Sequence, residues 1–395
     1  MSETANQDGM ILNSNAIPST DTFGNPIPVT IPIDLAPGVK VVYTTRLGGS
    51  STDDWGNLNL GGKSGDDPAA VVANRMGLAK AVGAPLSLVA QVHSGKAIDV
   101  DTFFEYNAPY GCDCSGTVIG SQTRRDGAAT GETDAIAVQR DVEEIEGADG
   151  TAITKTDTRI SISESGTTEN DESSSNQSQA DAGSPTAYPR LEADAEVTAQ
   201  TGIALGMFAA DCLPVLLADA QAGVIGAAHC GRKGLQRGVI GSAVDLMVAK
   251  GAKPNRIVAT LGPCICGDCY EVGDQIADEF DAQFPATFTL TRFGGPGIDI
   301  AKAALQELAK AGIPADNVIS STPRVGAATQ YLDQDAELAD LCAADGEGSP
   351  NLSERIGEVR HSLCTLENPL FYSHRRASLG HKEHEGRLLA LIVRE

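Results

Sequence analysis

Three side chains able to bind a transition metal close apolar runs of this chain: His93 in LVAQVHSG, Cys212 in IALGMFAADCLPVLLAD and His229 in GVIGAAHCG. Two imidazoles and one thiolate are borderline-soft donors of the kind zinc takes. Three protein donors leave a fourth position open, as a catalytic site does and a structural one does not. Each residue also stands where a buried-looking run gives way to a small or turn-forming stretch, which is where α/β folds place reactive groups. Singly, each has a plainer reading as a hydrogen-bonded core histidine or an inert buried thiol. Together they require a fold that brings three strand ends to one point.

Other residues offer chemistry with less definition. Asp211 precedes Cys212 and either orients a ligand, handles a proton or caps a strand end. Arg46 ends the strand VKVVYTTR, and Arg375 and Arg376 lie in SHRR. A guanidinium matches phosphate geometry, so these arginines are candidates for anion recognition, with salt bridges to an acidic surface as the alternative. CICGDC sets Cys264, Cys266 and Cys269 at a metal-like or redox-like spacing. With no second CxxC pair, it reads as a tight turn lined with thiols. His361, His374, His381 and His384 gather near the end, where HKEH reads as an exposed polar loop.

The elements that must position these residues follow from pattern. The chain has 395 residues, enough for a sizeable core, and only 4% of them are aromatic. Its net charge of −24 argues against nucleic-acid or anionic-membrane partners, which need basic surface. The first residues lack the basic and apolar regions of a signal peptide, and no run approaches the roughly 20 apolar residues of a membrane span. The nine cysteines therefore read as reduced thiols of a cytoplasmic protein. Residues 1–35 read as a disordered leader. Asp67, Pro68 and Gly83 cap, open and stop a helix over DPAAVVANRMGLAKAVG. Residues 102–189 read as a disordered acidic insertion too poor in large apolar groups to fold alone, with local order in TDAIAVQRDVEEIEG. GLQRGVIGSAVDLMVAKGA predicts a helix ended by Gly251. Residues 333–358, polar and acidic, read as a second, smaller insertion. The rest forms one α/β domain within 36–395.

The words TTRLGG, GDDPAAVVANR, QVHSG, ADAEVT, AADCLPVLLAD, GVIGAAH, GPCICGDCYEVG, CTLENPLFYSHRR and GRLLALIV follow one another in this chain. Their order resembles the YfiH/laccase-domain family, also labelled multicopper polyphenol oxidase or purine nucleoside phosphorylase. The resemblance covers about residues 40–101 and 191–395. It implies a compact fold of mixed sheets layered with helices, and a zinc site, with copper possible, made by His93, Cys212 and His229. It implies phosphorolysis of purine nucleosides (adenosine, inosine, guanosine and methylthioadenosine), with adenosine deamination alongside. Cys212, Asp211 and Arg46 then take catalytic roles, Gln91 of QVHSG and Arg375 bind substrate, and Arg46 is the first candidate for phosphate.

Copper-dependent phenol oxidation also attaches to the family name. A laccase needs several copper sites and many histidines, and only two of the six here lie in matching motifs. The family's HAGWRG is here HCGRKG, with Arg232 in place of tryptophan, so the pocket is walled differently; a histidine that relatives often carry after NLNLGG is missing too. Two other classes stay open. One is a metal-independent cysteine hydrolase or deamidase with Cys212 as nucleophile and His229 or His93 as base. The other is a non-catalytic module whose acidic insertion binds basic partners. The expected partners are purine nucleosides and phosphate, without nucleic acid or membrane, and the oligomeric state stays open.

Overall fold

The computed structural model describes residues 20–22, 24–119, 136–146, 152–162 and 187–395. Two sheets carry the fold. The first has six strands in the order Thr30–Ala36, Val39–Thr44, Leu388–Arg394, Ala204–Ala209, Leu86–Val89 and Gly111–Cys114. The second has seven, in the order Val258–Leu261, Leu213–Asp219, Val224–Cys230, Ala195–Thr198, Lys96–Asp99, Ile136–Glu146 and Ala152–Ile162. Pairing is antiparallel except where Leu86–Val89 meets its two neighbours and where Lys96–Asp99 meets Ala195–Thr198.

Strand periodicity builds the layers. Val41, Tyr43, Leu205, Met207, Ala390 and Ile392 of the first sheet pack against Leu216, Ala218, Ile225 and Ala227 of the second. The alternating residues Val42, Leu389 and Leu391 face the other way, with Leu78 of the helix Pro68–Val82. Likewise Val215, Leu217 and Ala228 turn towards the helices Val239–Ala249, Asp274–Gln283 and Ile300–Lys310. Helix, sheet, sheet and helices therefore lie in sequence. Both faces of each sheet are covered, which is why the central strands read as continuous apolar runs.

The first helix forms as its sequence predicts. Asp67 accepts the N–H of Ala69, Pro68 opens the first turn, and Gly83 closes the last in the left-handed region at φ 73°. Its buried face also carries Arg75, fully enclosed and paired with Asp113 at 2.6 Å. Arg75 donates through Nε and Nη2 to the carbonyl of Leu60, so the helix fixes the glycine-rich loop that follows.

Several boundaries differ from the sequence reading. The stretch 1–35 is not all leader: Thr30–Ala36 is an edge strand, with Ile31 fully buried. Residues 1–19 lie outside the described residues. Within 102–189, the residues up to 119 belong to the domain through the strand Gly111–Cys114. Ile136–Glu146 and Ala152–Ile162 form a hairpin that extends the second sheet from Lys96–Asp99. The rest of that acidic stretch up to 186 lies outside the described residues. Residues 333–358 do not stand off as an insertion but carry the helices Ala336–Ala344 and Leu352–Gly357, whose Leu338, Leu341, Cys342 and Leu352 enter the core between the layers. The helix predicted over GLQRGVIGSAVDLMVAKGA is two, Arg232–Gln236 and Val239–Ala249, broken where Gly238 takes φ 71°. Among the described residues no helix is long and apolar enough to cross a membrane.

Candidate metal centre and its cavity

The chain passes from the first sheet to the second between Val89 and Lys96, and again between Ala209 and Leu213. His93 lies in the first crossing and Cys212 in the second. His229 faces them from the strand Val224–Cys230. The donor atoms of the three lie within 4.8 Å of one another, and Cys212 Sγ is 3.6 Å from His93 Nε2. These are the three residues that the sequence puts forward as metal donors.

Both crossings bend through unusual backbone. His93 has φ 59° and Asp211 φ 91°, conformations that side chains other than glycine adopt only when their surroundings enforce them. Asp194 enforces the first. Its fully buried carboxylate accepts the N–H groups of Val92, His93 and Ser94 and the Ser94 hydroxyl. Its carbonyl accepts the N–H of His229 at 2.7 Å. The second bend is held by Asp211 itself: its carboxylate accepts Thr365 Oγ1 at 2.6 Å and the N–H of Arg375 at 2.7 Å.

The residues present fit a zinc ion on four counts. Neither ring nitrogen of the buried His229 has a hydrogen-bond partner among the described residues, an uncompensated cost for two polar atoms. Burial lowers the His229 pKa to about 4, leaving the ring neutral and ready to donate a lone pair. Gly231 clears the approach: a Cβ there would stand 2.8 Å from His93 Cδ2 and 2.9 Å from Cys212 Sγ. Burial first, and Asp211 next, push the Cys212 thiol up to about 12, so a thiolate at this point calls for a cation beside it.

The three donors open onto a cavity of about 510 Å³. Val89, Phe208 and Tyr270 give it apolar and aromatic walls, and Ser115 and Thr117 add hydroxyls. Its cationic side chains are Lys63, from the loop that Arg75 fixes, with Arg375 and Arg387. Arg375 donates to the carbonyl of Glu271 and lies over the Tyr270 ring. His374 also lines the cavity, and its Nδ1 is 2.9 Å from Glu385 Oε1.

The other expected site residues divide. Gln91 and Arg375 line the cavity. The Gln91 side chain is spent on Phe208, donating to its carbonyl and accepting its N–H, and so sets a wall. Arg46 is not at the cavity. It is buried and grips Asp345 through two bonds of 2.9 and 2.8 Å, beside Arg355 and Arg376 on the same carboxylate. A strand-end arginine in an acidic chain has met a carboxylate rather than an anion from solution. Arg232 bonds Gln236 within its own short helix and does not wall the cavity. His374, expected in an exposed loop, was missed, as were Lys63, Tyr270 and Asp194; GGKSG, beside a phosphate expectation, was the one signal that could have found Lys63.

Comparison with known proteins agrees with this architecture. A purine nucleoside phosphorylase of Streptomyces griseus is 35% identical over 69% of this chain and 79% of its own length. An adenosine deaminase of an unknown prokaryotic organism is 39% identical over 32% of this chain and 50% of its own. The crystal structure of a Bacillus licheniformis hypothetical protein, YfiH, shares the fold with a TM-score of 0.56 and 20% identity, covering 94% of this chain and 97% of that one. The model of the multi-copper polyphenol oxidoreductase laccase family matches residues 40–162 and 118–331, and the chain belongs to that family.

Proposed function

We propose that this chain is a cytoplasmic, zinc-dependent enzyme that splits purine nucleosides with phosphate and also deaminates adenosine. The observation that carries the reading is the convergence of His93, Cys212 and His229 on one cavity, three donors with an open side. The names borne by the relatives supply the substrate class. Zinc, when bound, supplies Lewis acidity next to the substrate.

The remaining residues divide the work that both reactions need. Phe208, Val89 and Tyr270 offer a purine base flat apolar surface. Lys63, Arg375 and Arg387 replace Arg46 as the phosphate site; partial burial, then Arg190, hold the Lys63 pKa below its ordinary value. His374 is the proton carrier, because Glu385 fixes Nδ1 and leaves Nε2 for a reacting group. Asp211 and Gln91 are positioning residues, since their polar atoms are engaged with Thr365, Arg375 and Phe208.

The competing readings draw less support. A thiol pushed up to about 12 is a poor metal-free nucleophile, despite the His93 ring nearby. Phenol oxidation needs several coppers, and His361, His374, His381 and His384 join neither group of potential ligands among the described residues. The test is product identification from adenosine and inosine, with and without phosphate, alongside metal analysis. Free base formed only with phosphate, inosine formed from adenosine without it, and loss of both in Cys212→Ala are the expected results. Full activity in metal-free Cys212→Ala protein would falsify the proposal.

A further inference from the structure

CICGDC alone reads as a thiol-lined turn, because the sequence nearby holds no second pair of ligands. The fold supplies that pair from far along the chain. Cys364 and Glu367, spaced as CxxE in CTLE, pack against Cys266 and Cys269, spaced as CxxC. The three sulfurs and a carboxylate oxygen of Glu367 all lie within 4.8 Å of one another. Tetrahedral zinc with Zn–S bonds of about 2.3 Å sets its sulfurs about 3.8 Å apart, so the group needs little contraction to reach that geometry.

Each donor is held by its own backbone. The turn closes through the N–H groups of Cys269 and Tyr270, both donating to the carbonyl of Cys266 at 3.0 Å. The N–H of Cys266 points at Cys364 Sγ, 3.4 Å away, a contact that favours thiolate over thiol there. Glu367 gives Oε2 to the N–H groups of Arg360 and His361 at 3.0 and 2.9 Å, which leaves Oε1 facing the sulfurs, 3.5 Å from that of Cys269. Cys269, Cys364 and Glu367 are buried, and Cys266 is half-buried beside a second cavity. Arg292, 3.9 Å from Glu367 Oε1, adds a positive charge to an otherwise anionic shell.

The geometry points to a second zinc site, closed and structural, made by Cys266, Cys269, Cys364 and Glu367. Four protein donors leave no open position, in contrast to the three-donor centre on the first cavity. Binding releases the protons still carried by the thiols to solvent, and no electrons move. The consequence reaches the first centre. Ile265, next to Cys266, donates its N–H to the carbonyl of Asp211 at 2.9 Å, and Thr365, next to Cys364, donates to the Asp211 carboxylate. The second ion would clamp together the two segments that hold the bend before Cys212.

The experiment is zinc counting on the full chain, unchanged and as Cys212→Ala, loaded with zinc under reducing conditions and desalted. One zinc per chain in Cys212→Ala, and its protection of three thiols from alkylation, is the expected result. Cobalt loading of the same variant should give an intense sulfur-to-metal charge-transfer band that weakens in the double variant with Cys269→Ser. Cys212→Ala that is folded, holds no zinc after loading and alkylates at every thiol overturns the inference, as does a disulfide among Cys266, Cys269 and Cys364 that persists in the reduced, zinc-loaded sample. Failure of the purine reading would change the product assay and leave this zinc count as it is.

Discussion

The carboxylate of Asp194 accepts the N–H of His93 at 2.9 Å, and through its carbonyl the same residue takes the N–H of His229. One residue thereby sets the backbone of both imidazole donors without touching either ring. Asn at this position keeps the shape but turns an N–H₂ group towards backbone donors. Asp194→Asn should lower zinc affinity by roughly 10–100-fold, as losses of outer-shell partners do. Competition with a chromophoric chelator measures it; unchanged affinity would show that His93 holds its bend unaided.

Gly231→Ala separates the metal from the fold. Gly231 has φ −71° and ψ 167°, which alanine adopts without strain, and the atoms nearest the added methyl are those of His93 and Cys212. The variant should keep the circular dichroism and melting of metal-free protein while binding little zinc. A zinc content equal to that of the unchanged chain would count against a metal at this point.

Arg46→Ala should destabilise the protein and leave the KM for phosphate alone, whereas Lys63→Ala should raise that KM. Breaking a buried ion pair costs about 3–5 kcal/mol, and Asp345, which also faces Arg355 and Arg376, is the more sensitive partner. Burial works to raise the Asp345 pKa, but Arg46, then Arg376, override it and hold the carboxyl well below its usual range. A depressed folded pKa gives stability that is present above the unfolded value of about 3.9 and is lost as pH falls through the folded one. Asp345→Asn should therefore melt lower at neutral pH and show a flatter loss of stability below about pH 4. A KM for phosphate that rises in Arg46→Ala would return Arg46 to the anion site.

His374 gains proton affinity chiefly from Glu385, with Asp211 adding to it. The hydrogen bond to Glu385 raises the His374 pKa, and the same bond lowers that of Glu385 to about 2. Because the histidine value is raised and the carboxylate value lowered, the pair's contribution is complete between about pH 4.3 and about pH 6.5; it fades as pH climbs through the folded histidine pKa and as pH falls through the folded carboxylate pKa. In Glu385→Gln the ring should titrate lower, followed by proton NMR of its Hε1, and the acid limb of the rate profile should move with it. A midpoint that stays put would remove Glu385 from the proton-handling group.

The proximity of His93, Cys212 and His229 was legible because each is a side chain able to ligate a metal where an apolar strand gives out. The helix after Asp67 was legible for the same reason, with its cap, opener and stop in place. Arg46 misled because a strand-end arginine looks alike whether it faces a ligand or Asp345, and Asp345 sits in a stretch whose acidity suggested solvent. Its leucines, Leu338, Leu341 and Leu352, carried the better signal. Cys364 and Glu367 join Cys266 and Cys269 only because the parallel bridge between Cys264 and Cys364 aligns the two segments. His374 and Lys63 line one cavity from segments far apart in the chain, and no local pattern names that pairing.

Two of the places where the chain changes sheets carry His93 and Cys212, while His229 belongs to a strand of one sheet alone. Sliding one sheet over the other would drag the first two donors with the seam and leave the third behind. The spread of the triad is thus a gauge of how the sheets are aligned, and an ion seated there would act as a rivet through both plates. Mutations deep in the inter-sheet core, far from the cavity, would then be felt as a change in grip on the metal before they were felt as unfolding.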